Sequence, residues 1–165
     1  MSEKIIEAEE FRLVDGESKL RASLSISAES SPVLELYDRA GKVRASLYLL
    51  DDGSPVLSFS GKDEKIRAQL CSLTDGRVSL DLYDRNGTPR IGLGLQEDGS
   101  PVLSLMDKNG KVRARIYVQT DEGMGLFFWN RAGEQQVVLG VSPDGIPLLT
   151  ICDRKGKPIW STPKE

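Results

Sequence analysis

The feature that most constrains the fold is a repeat of 23 residues that runs through the whole chain without an insertion or deletion. An apolar residue stands four positions before each turn-opening residue, at Phe11, Leu34, Leu57, Leu80, Leu103, Leu126 and Leu149. A fixed period of this length is typical of a tandem array of one supersecondary unit. We therefore predict one repeat domain over residues 1–165, with copies near 8–30, 31–53, 54–76, 77–99, 100–122, 123–145 and 146–163.

Each copy has the pattern of a β-hairpin. The first run places Leu34 and Leu36 on one face, and the second run continues that face through Val43, Ala45 and Leu47. Such alternation with a period of two is typical of strands that are apolar on one side. The sequence therefore predicts an all-β fold, an antiparallel meander of about fourteen strands with one apolar and one polar face.

Two kinds of loop connect the predicted strands. Asp-x-x-Gly at 38–41 suggests a four-residue loop, which would pair Leu36 with Val43 and Leu34 with Ala45. The loop at 51–53 has the pattern of a type I turn followed by a glycine bulge, and it would place Leu47 opposite Leu57. Both loops keep the apolar residues on the same side.

The polar face carries a column of arginines at the same spacing. The predicted register places Arg44 opposite Glu35 and Arg90 opposite Asp81, so we expect exposed cross-strand ion pairs. The members of the column are Arg21, Arg44, Arg67, Arg90 and Arg113. These pairs would help to fix the register of the strands.

A sheet with one apolar face needs a cover in water. Either several copies pack into a homo-oligomeric prism, a trimer before a dimer, or one chain rolls into a flattened barrel or sandwich. Glu9 and Glu10 in the first copy and Pro158 in the last suggest blunted sheet edges, which do not suit a closed barrel. We therefore expect a homo-oligomer.

The composition argues against several classes of function. The chain has no histidine, which removes the usual general base and the commonest metal ligand. Cys71 and Cys152 are isolated, and a net charge of −3 gives no reason to expect a nucleic-acid partner. We expect no enzyme activity, no catalytic residue, no cofactor and no metal site. No signal peptide or transmembrane segment is evident, so we expect no direct membrane insertion and assign the cytoplasm only by default.

The recurring turn aspartates raise the question of calcium binding. Calcium needs six or more oxygens around one point, and each turn supplies one carboxylate. Asp is also the usual residue at such turns, which explains each of them without a metal. The sequence leaves this alternative open.

The sixth copy departs from the repeat. Phe127 and Trp129 occupy positions on the polar face, and Gln136 replaces the column arginine. A local departure of this kind favours a contact site. With Tyr117 and Tyr83, these aromatics are our candidate binding residues for a glycan or a protein. The alternative is packing against the C-terminal tail or a contact within an oligomer.

The segment Asp-x-x-Gly-Lys-x-Arg-Ala-x-Leu, followed by Asp-Gly-Ser-Pro-x-Leu, resembles repeats in uncharacterised bacterial proteins, which often adjoin coiled-coil or anchoring segments. The segments at 37–41 and 83–87 are also similar to the YD repeats of Rhs-type shells, and the hairpin length is similar to that of MORN repeats. These resemblances imply a hairpin fold and no activity. We therefore expect a structural or assembly module (a spacer, stalk or scaffold), with a binding module as the alternative.

Overall fold

The structure is a computed structural model that describes residues 5–28 and 30–163. Fourteen β-strands and no helix occur in this part of the chain, and within each of two units the consecutive strands pair antiparallel in chain order. The prediction of an all-β antiparallel meander of short hairpins is therefore confirmed. The chain divides into two compact units, Met1–Thr74 and Asp75–Glu165.

The first unit contains six strands, each paired with the next. They are β1 (Glu10–Val14), β2 (Leu20–Ile26), β3 (Pro32–Tyr37), β4 (Val43–Leu49), β5 (Pro55–Ser60) and β6 (Ile66–Ser72). Their pairings run from β1 to β6 without a crossover.

The second unit contains eight strands in the same arrangement. They are β7 (Val78–Tyr83), β8 (Pro89–Leu95), β9 (Pro101–Met106), β10 (Val112–Val118), β11 (Met124–Trp129), β12 (Gln135–Val141), β13 (Pro147–Cys152) and β14 (Pro158–Thr162). Each strand pairs with its neighbour in sequence. Neither unit closes on itself, so the barrel alternative is not formed within either of them.

The two kinds of loop have the same hydrogen bonds. The Asp38 N–H donates to the Lys42 carbonyl at 2.9 Å, and the Leu50 N–H donates to the Ser54 carbonyl at 2.9 Å. In each loop the third residue is a glycine with positive φ, +79° at Gly41 and +84° at Gly53. The three-residue bulged loop at 51–53 is confirmed. The four-residue loop predicted at 38–41 is wrong, because it too is a three-residue loop.

A second irregularity follows each Asp-x-x-Gly loop. Tyr37 pairs with Val43, but Leu36 pairs with Ala45, so the register shifts where Arg44 would stand. A β-bulge of this kind adds one residue to one strand and redirects its side chain. The predicted pairings of Leu36 with Val43 and of Leu34 with Ala45 are therefore wrong.

The observed register still preserves the apolar face. Leu34 pairs with Leu47, one step of two residues from the predicted partner. From Ala45 onwards the shift is two residues, which leaves each side chain on its original face, whereas a shift of one would invert the pattern. Val43, before the bulge, pairs with Tyr37 and therefore lies on the polar face, so its predicted place beside Ala45 and Leu47 is wrong. The predicted pairing of Leu47 with Leu57 across the other loop is confirmed.

Burial is greatest on the face that the sequence marks as polar. Val56 is 1% exposed and Ser58 is 5% exposed, whereas Phe59 on the apolar face is 47% exposed. Ser23 and Ser104 are buried on the polar face as well. The leucine side of each sheet therefore has no cover among the described residues.

Candidate functional site

An exposed apolar column lies on the leucine side of each unit. Its most exposed members stand near the centre of their strands and keep about half of their surface in solvent: Leu24, Leu34, Leu47 and Leu70 in the first unit, and Leu80, Leu93, Ile116 and Leu139 in the second. In the second unit, Leu93 of β8 is 51% exposed and Leu139 of β12 is 52% exposed. Contiguous exposed apolar surface of this kind marks an interaction site in soluble proteins.

The column arginines bind the loops that precede them. The Arg44 guanidinium donates from Nε to Asp38 Oδ2 at 2.8 Å, and it also donates to the carbonyl of Gly61 in the next copy. Arg113 makes the equivalent pair of contacts with Asp107 and with the carbonyl of Asn130. Arg44 and Arg113, like Arg21, therefore join their own loop to the following one, and we call this arrangement the loop clasp. Arg90 forms a variant of it with Asp84 and the Met106 carbonyl, and Arg67 pairs with Asp63 of its own loop.

The loop clasp corrects the predicted cross-strand ion pairs. Arg44 binds Asp38 rather than Glu35, and the Arg90 guanidinium lies 3.4 Å from Asp84 Oδ2. The bulge is the physical reason, because the extra residue turns the arginine away from the partner strand and towards the loop. The signal for this contact was present in the sequence as the six-residue spacing between Asp and Arg.

The loop aspartates are held in their charged form. Asp38 Oδ1 accepts the backbone N–H groups of Ala40 and Lys42. The hydrogen bond from the Lys42 backbone lowers the pKa of Asp38 below its usual value of 3.8, and the bond from the Arg44 side chain lowers it further. Hydrogen bonds to a carboxylate favour the ionised form. The ionised carboxylates of the loop aspartates therefore stabilise the backbone of their own loops.

The candidate aromatic residues of the sixth copy form one stack on the polar face. The Tyr117 and Phe127 ring centroids lie 4.9 Å apart at an interplanar angle of 17°, and those of Phe127 and Trp129 lie 6.0 Å apart at 21°. A Cβ at Gly125 would collide with the Phe127 ring, so this glycine makes room for the stack. Phe127 is thus the central ring of the three.

Tyr83 lies apart from this stack. It ends β7, whereas Phe127 and Trp129 belong to β11, and four strand spacings of about 4.8 Å separate the two strands. The structure therefore brings together three of the four candidate residues. Tyr83 occupies the same repeat position as Trp129, which is why the sequence grouped them.

The three rings are all half-buried. Phe127 stacks against both Tyr117 and Trp129, so its two neighbours cover part of its ring surface. Sugar recognition by stacking needs an accessible ring face, which packing between the rings reduces.

The structure describes no metal centre. Across residues 5–28 and 30–163, no group of three or more thiol or carboxylate side chains lies close enough to hold a metal ion. Each of the loop carboxylates Asp52 and Asp98 accepts a backbone N–H of its own loop, from Ser54 and Ser100 respectively, at 2.9 Å. No helix in these residues is long and apolar enough to span a membrane.

Comparison with known proteins gives no family. No family model matches the sequence, and no curated protein matches it. The wild-type TCP10 domain of Danio rerio CPAP is similar over 92% of this chain and 93% of that one, with a TM-score of 0.33 and 10% identity. Scilla campanulata agglutinin, a fetuin-binding two-domain lectin, is similar over 98% and 97%, with a TM-score of 0.15 and 12% identity. At these scores neither similarity supports an inference about this chain.

Proposed function

We propose that this chain is a non-catalytic structural module that associates with copies of itself through the apolar column. The module is a rigid β-repeat spacer, stalk or scaffold whose number of copies sets its length. The exposure of the column, from 39% at Leu80 to 52% at Leu139, is the observation that carries the proposal. We expect a homo-oligomer, and we favour a trimer over a dimer.

The accessible surface supports the need for a partner. The chain exposes 11789 Å², whereas two separately folded units of this combined mass would expose about 9,700 Å². The excess of about 2,000 Å² for each chain, chain ends included, matches the total of 2,000 to 5,000 Å² that obligate oligomers bury. Association would remove this surface from water.

A binding module built on the aromatic stack is the second candidate, and it receives less support. Phe127 stacks against the rings of both Tyr117 and Trp129, which reduces the ring surface that a sugar could use. The position of the Phe127 ring also explains why residue 125 is a glycine, because a Cβ there would collide with the ring.

The test is the mass of the chain in solution, measured by light scattering over a range of concentrations. Two variants, Leu93→Lys and Leu139→Lys, place a charge in the apolar column. The control is Ser161→Lys, which adds the same charge at an exposed position on the polar face of the edge strand β14. Burial of one leucine contributes about 2 kcal/mol, so each column variant should weaken association about 30-fold.

The control variant should keep the wild-type mass. A wild-type chain that remains a monomer at all concentrations would refute the proposal. So would column variants that associate as the wild type does.

A further inference from the structure

The loops of the second unit carry opposite charge at the two ends of the strands. One set of loops, residues 84–88, 107–111, 130–134 and 153–157, follows the odd-numbered strands and lies at one edge. The second residue of every loop in this set is an exposed cation: Arg85, Lys108, Arg131 or Arg154. We call this set the basic row.

Two of the carboxylates within the basic row are paired with cations, since Asp84 and Asp107 pair with Arg90 and Arg113. The other two, Asp153 and Glu134, accept hydrogen bonds within their own loops. Three further exposed lysines lie in the same loops, at Lys111, Lys155 and Lys157. Cations therefore outnumber carboxylates in the solvent-facing part of this row.

The opposite edge is acidic. The loops at 96–100, 119–123 and 142–146 follow the even-numbered strands, and we call them the acidic row. Their exposed carboxylates are Glu97, Asp98, Asp121, Glu122 and Asp144, and these loops contain no lysine or arginine. Strands of six or seven residues separate the two rows by roughly 20 Å.

Several of these charges have no ion-pair partner among the described residues. In that part of the chain, no carboxylate lies within 4 Å of the Lys108 or Arg131 side-chain nitrogens, and no cation lies within 4 Å of Glu97. Shallow grooves run between successive loops in each row. Lys111 and Arg131 line one of them, and Glu97 and Asp98 line another together with the cation Arg77 of the preceding loop.

We infer that a second copy of this chain docks on the apolar column with its basic row against the acidic row of the first. This inference rests on the proposed self-association and adds the orientation of the copies. The apolar column lies between the two rows on every chain, so one contact can bury leucines at its centre and pair opposite charges at its margins. Complementary charge at the rim of an interface sets orientation and suppresses the wrong pairing.

The charge pattern selects between ways of stacking two faces. If the second sheet is turned over about an axis parallel to the strands, equal rows meet and repel. If it is turned over about an axis across the strands, the basic row meets the acidic row. In a ring of three chains whose axis runs across the strands, the basic row of each chain likewise meets the acidic row of its neighbour. A polyanion would satisfy the basic row alone and leave the apolar column uncovered.

The test reverses two charges in each row, first in one row at a time and then in both rows. The acidic-row variant is Glu97→Lys with Glu122→Lys, and the basic-row variant is Lys108→Glu with Arg131→Glu. None of these four side chains forms a hydrogen bond within its loop in the described structure. A fourth protein carries all four substitutions, so that both rows lose most of their net charge. Dissociation constants are measured by sedimentation in 0.05 to 0.5 M salt, because the Debye screening length falls from about 14 to about 4 Å over this range.

Each single-row variant should associate at least about tenfold more weakly than the wild type at low salt. The four-substitution variant should lose less affinity than the product of the two single-row losses, because the charge of one row matters only while the opposite row keeps its own. Raising the salt concentration should weaken the wild type and narrow these differences. Wild-type association that neither salt nor row reversal changes would overturn the orientation and leave the proposed function standing. Single-row losses that multiply in the four-substitution variant, although its circular dichroism matches the wild type, would overturn the orientation too. A monomeric wild type would refute both.

Discussion

The loop at residues 119–123 contains a strained residue whose replacement should stabilise the chain. Glu122 has a φ of +67°, in the position where Gly53, Gly99 and Gly145 stand in other copies. Its loop has the same hydrogen bonds, with the Glu122 N–H donating to the Gln119 carbonyl at 3.0 Å. A side chain in the left-handed region costs about 1 to 2 kcal/mol. Glycine would remove that cost but adds about 0.5 to 1 kcal/mol of unfolded-state entropy.

The expected net effect of Glu122→Gly is a gain of about 0.5 to 1 kcal/mol in the free energy of unfolding. The measurement is the urea midpoint at constant protein concentration, with an unchanged slope. Glu122→Gln is the matched control, because it removes the charge and keeps the strained backbone. The converse variant, Gly99→Ala, should lose about 1 kcal/mol. A Gly variant no more stable than the Gln variant, or a cost-free Gly99→Ala, would show that backbone strain is not what distinguishes this loop.

Three further predictions concern the loops and the aromatic stack. Hydrogen bonds keep the pKa of Asp38 below 3.8, so its contribution to stability is present above pH 3.8 and is lost as the pH falls through the lower folded pKa. The urea concentration at the midpoint of unfolding should therefore decrease when the pH is lowered below about 4. Arg44→Gln should lower the urea midpoint, and adding Asp38→Asn should cost less in this background than in the wild type. Asn130 and Gln136 occupy these two positions in the sixth copy, where Asn130 still accepts a loop N–H and Gln136 still donates to the carbonyl of the next loop; additive costs would contradict this prediction. Phe127→Ser should destabilise the chain by about 2 kcal/mol in urea without changing its solution mass, and a loss of mass would instead place the stack in the interface.

The hairpins and the apolar face could be predicted from the sequence because both depend on short-range patterns. Period-two alternation determines which side chains share a face, and the glycines at 41 and 53 fix where each strand ends. These signals survive a two-residue error in register. That is why the apolar face was correct although the partner of Leu36 was not.

The loop clasp could not be predicted in the same way. Alternation does not reveal a bulge, because Val43 and Ala45 stand two residues apart and read as one face, whereas in the structure they pair with Tyr37 and Leu36 on opposite faces. The contact between the Arg44 side chain and the Gly61 carbonyl also joins groups 17 positions apart, whose proximity depends on the pairing of the strands between them. The spacing of Asp38 and Arg44 was visible, but its meaning depended on the bulge.

For the aromatic stack, the sequence could predict the positions of the residues but not the arrangement of their rings. The sequence located Phe127 and Trp129 on the polar face correctly as a departure from the repeat. Whether the rings lie flat on the sheet or stand against each other depends on side-chain rotamers and on the space above Gly125. The second arrangement occurs, and it reduces the open ring surface on which a glycan site would depend.

The distribution of burial links the fold to the proposed assembly. In most one-sided sheets the apolar face is the buried one, because it packs on the core. Here the buried side chains include Ser23, Ser58 and Ser104 on the polar face, while the leucine column is half exposed. The loops and the loop clasp are satisfied within the chain, by bonds such as that from Arg113 to Asp107. Each sheet thus pairs the arginines and aspartates of its loop clasps and leaves its leucines exposed, which is why we propose a second copy with the same column as the cover.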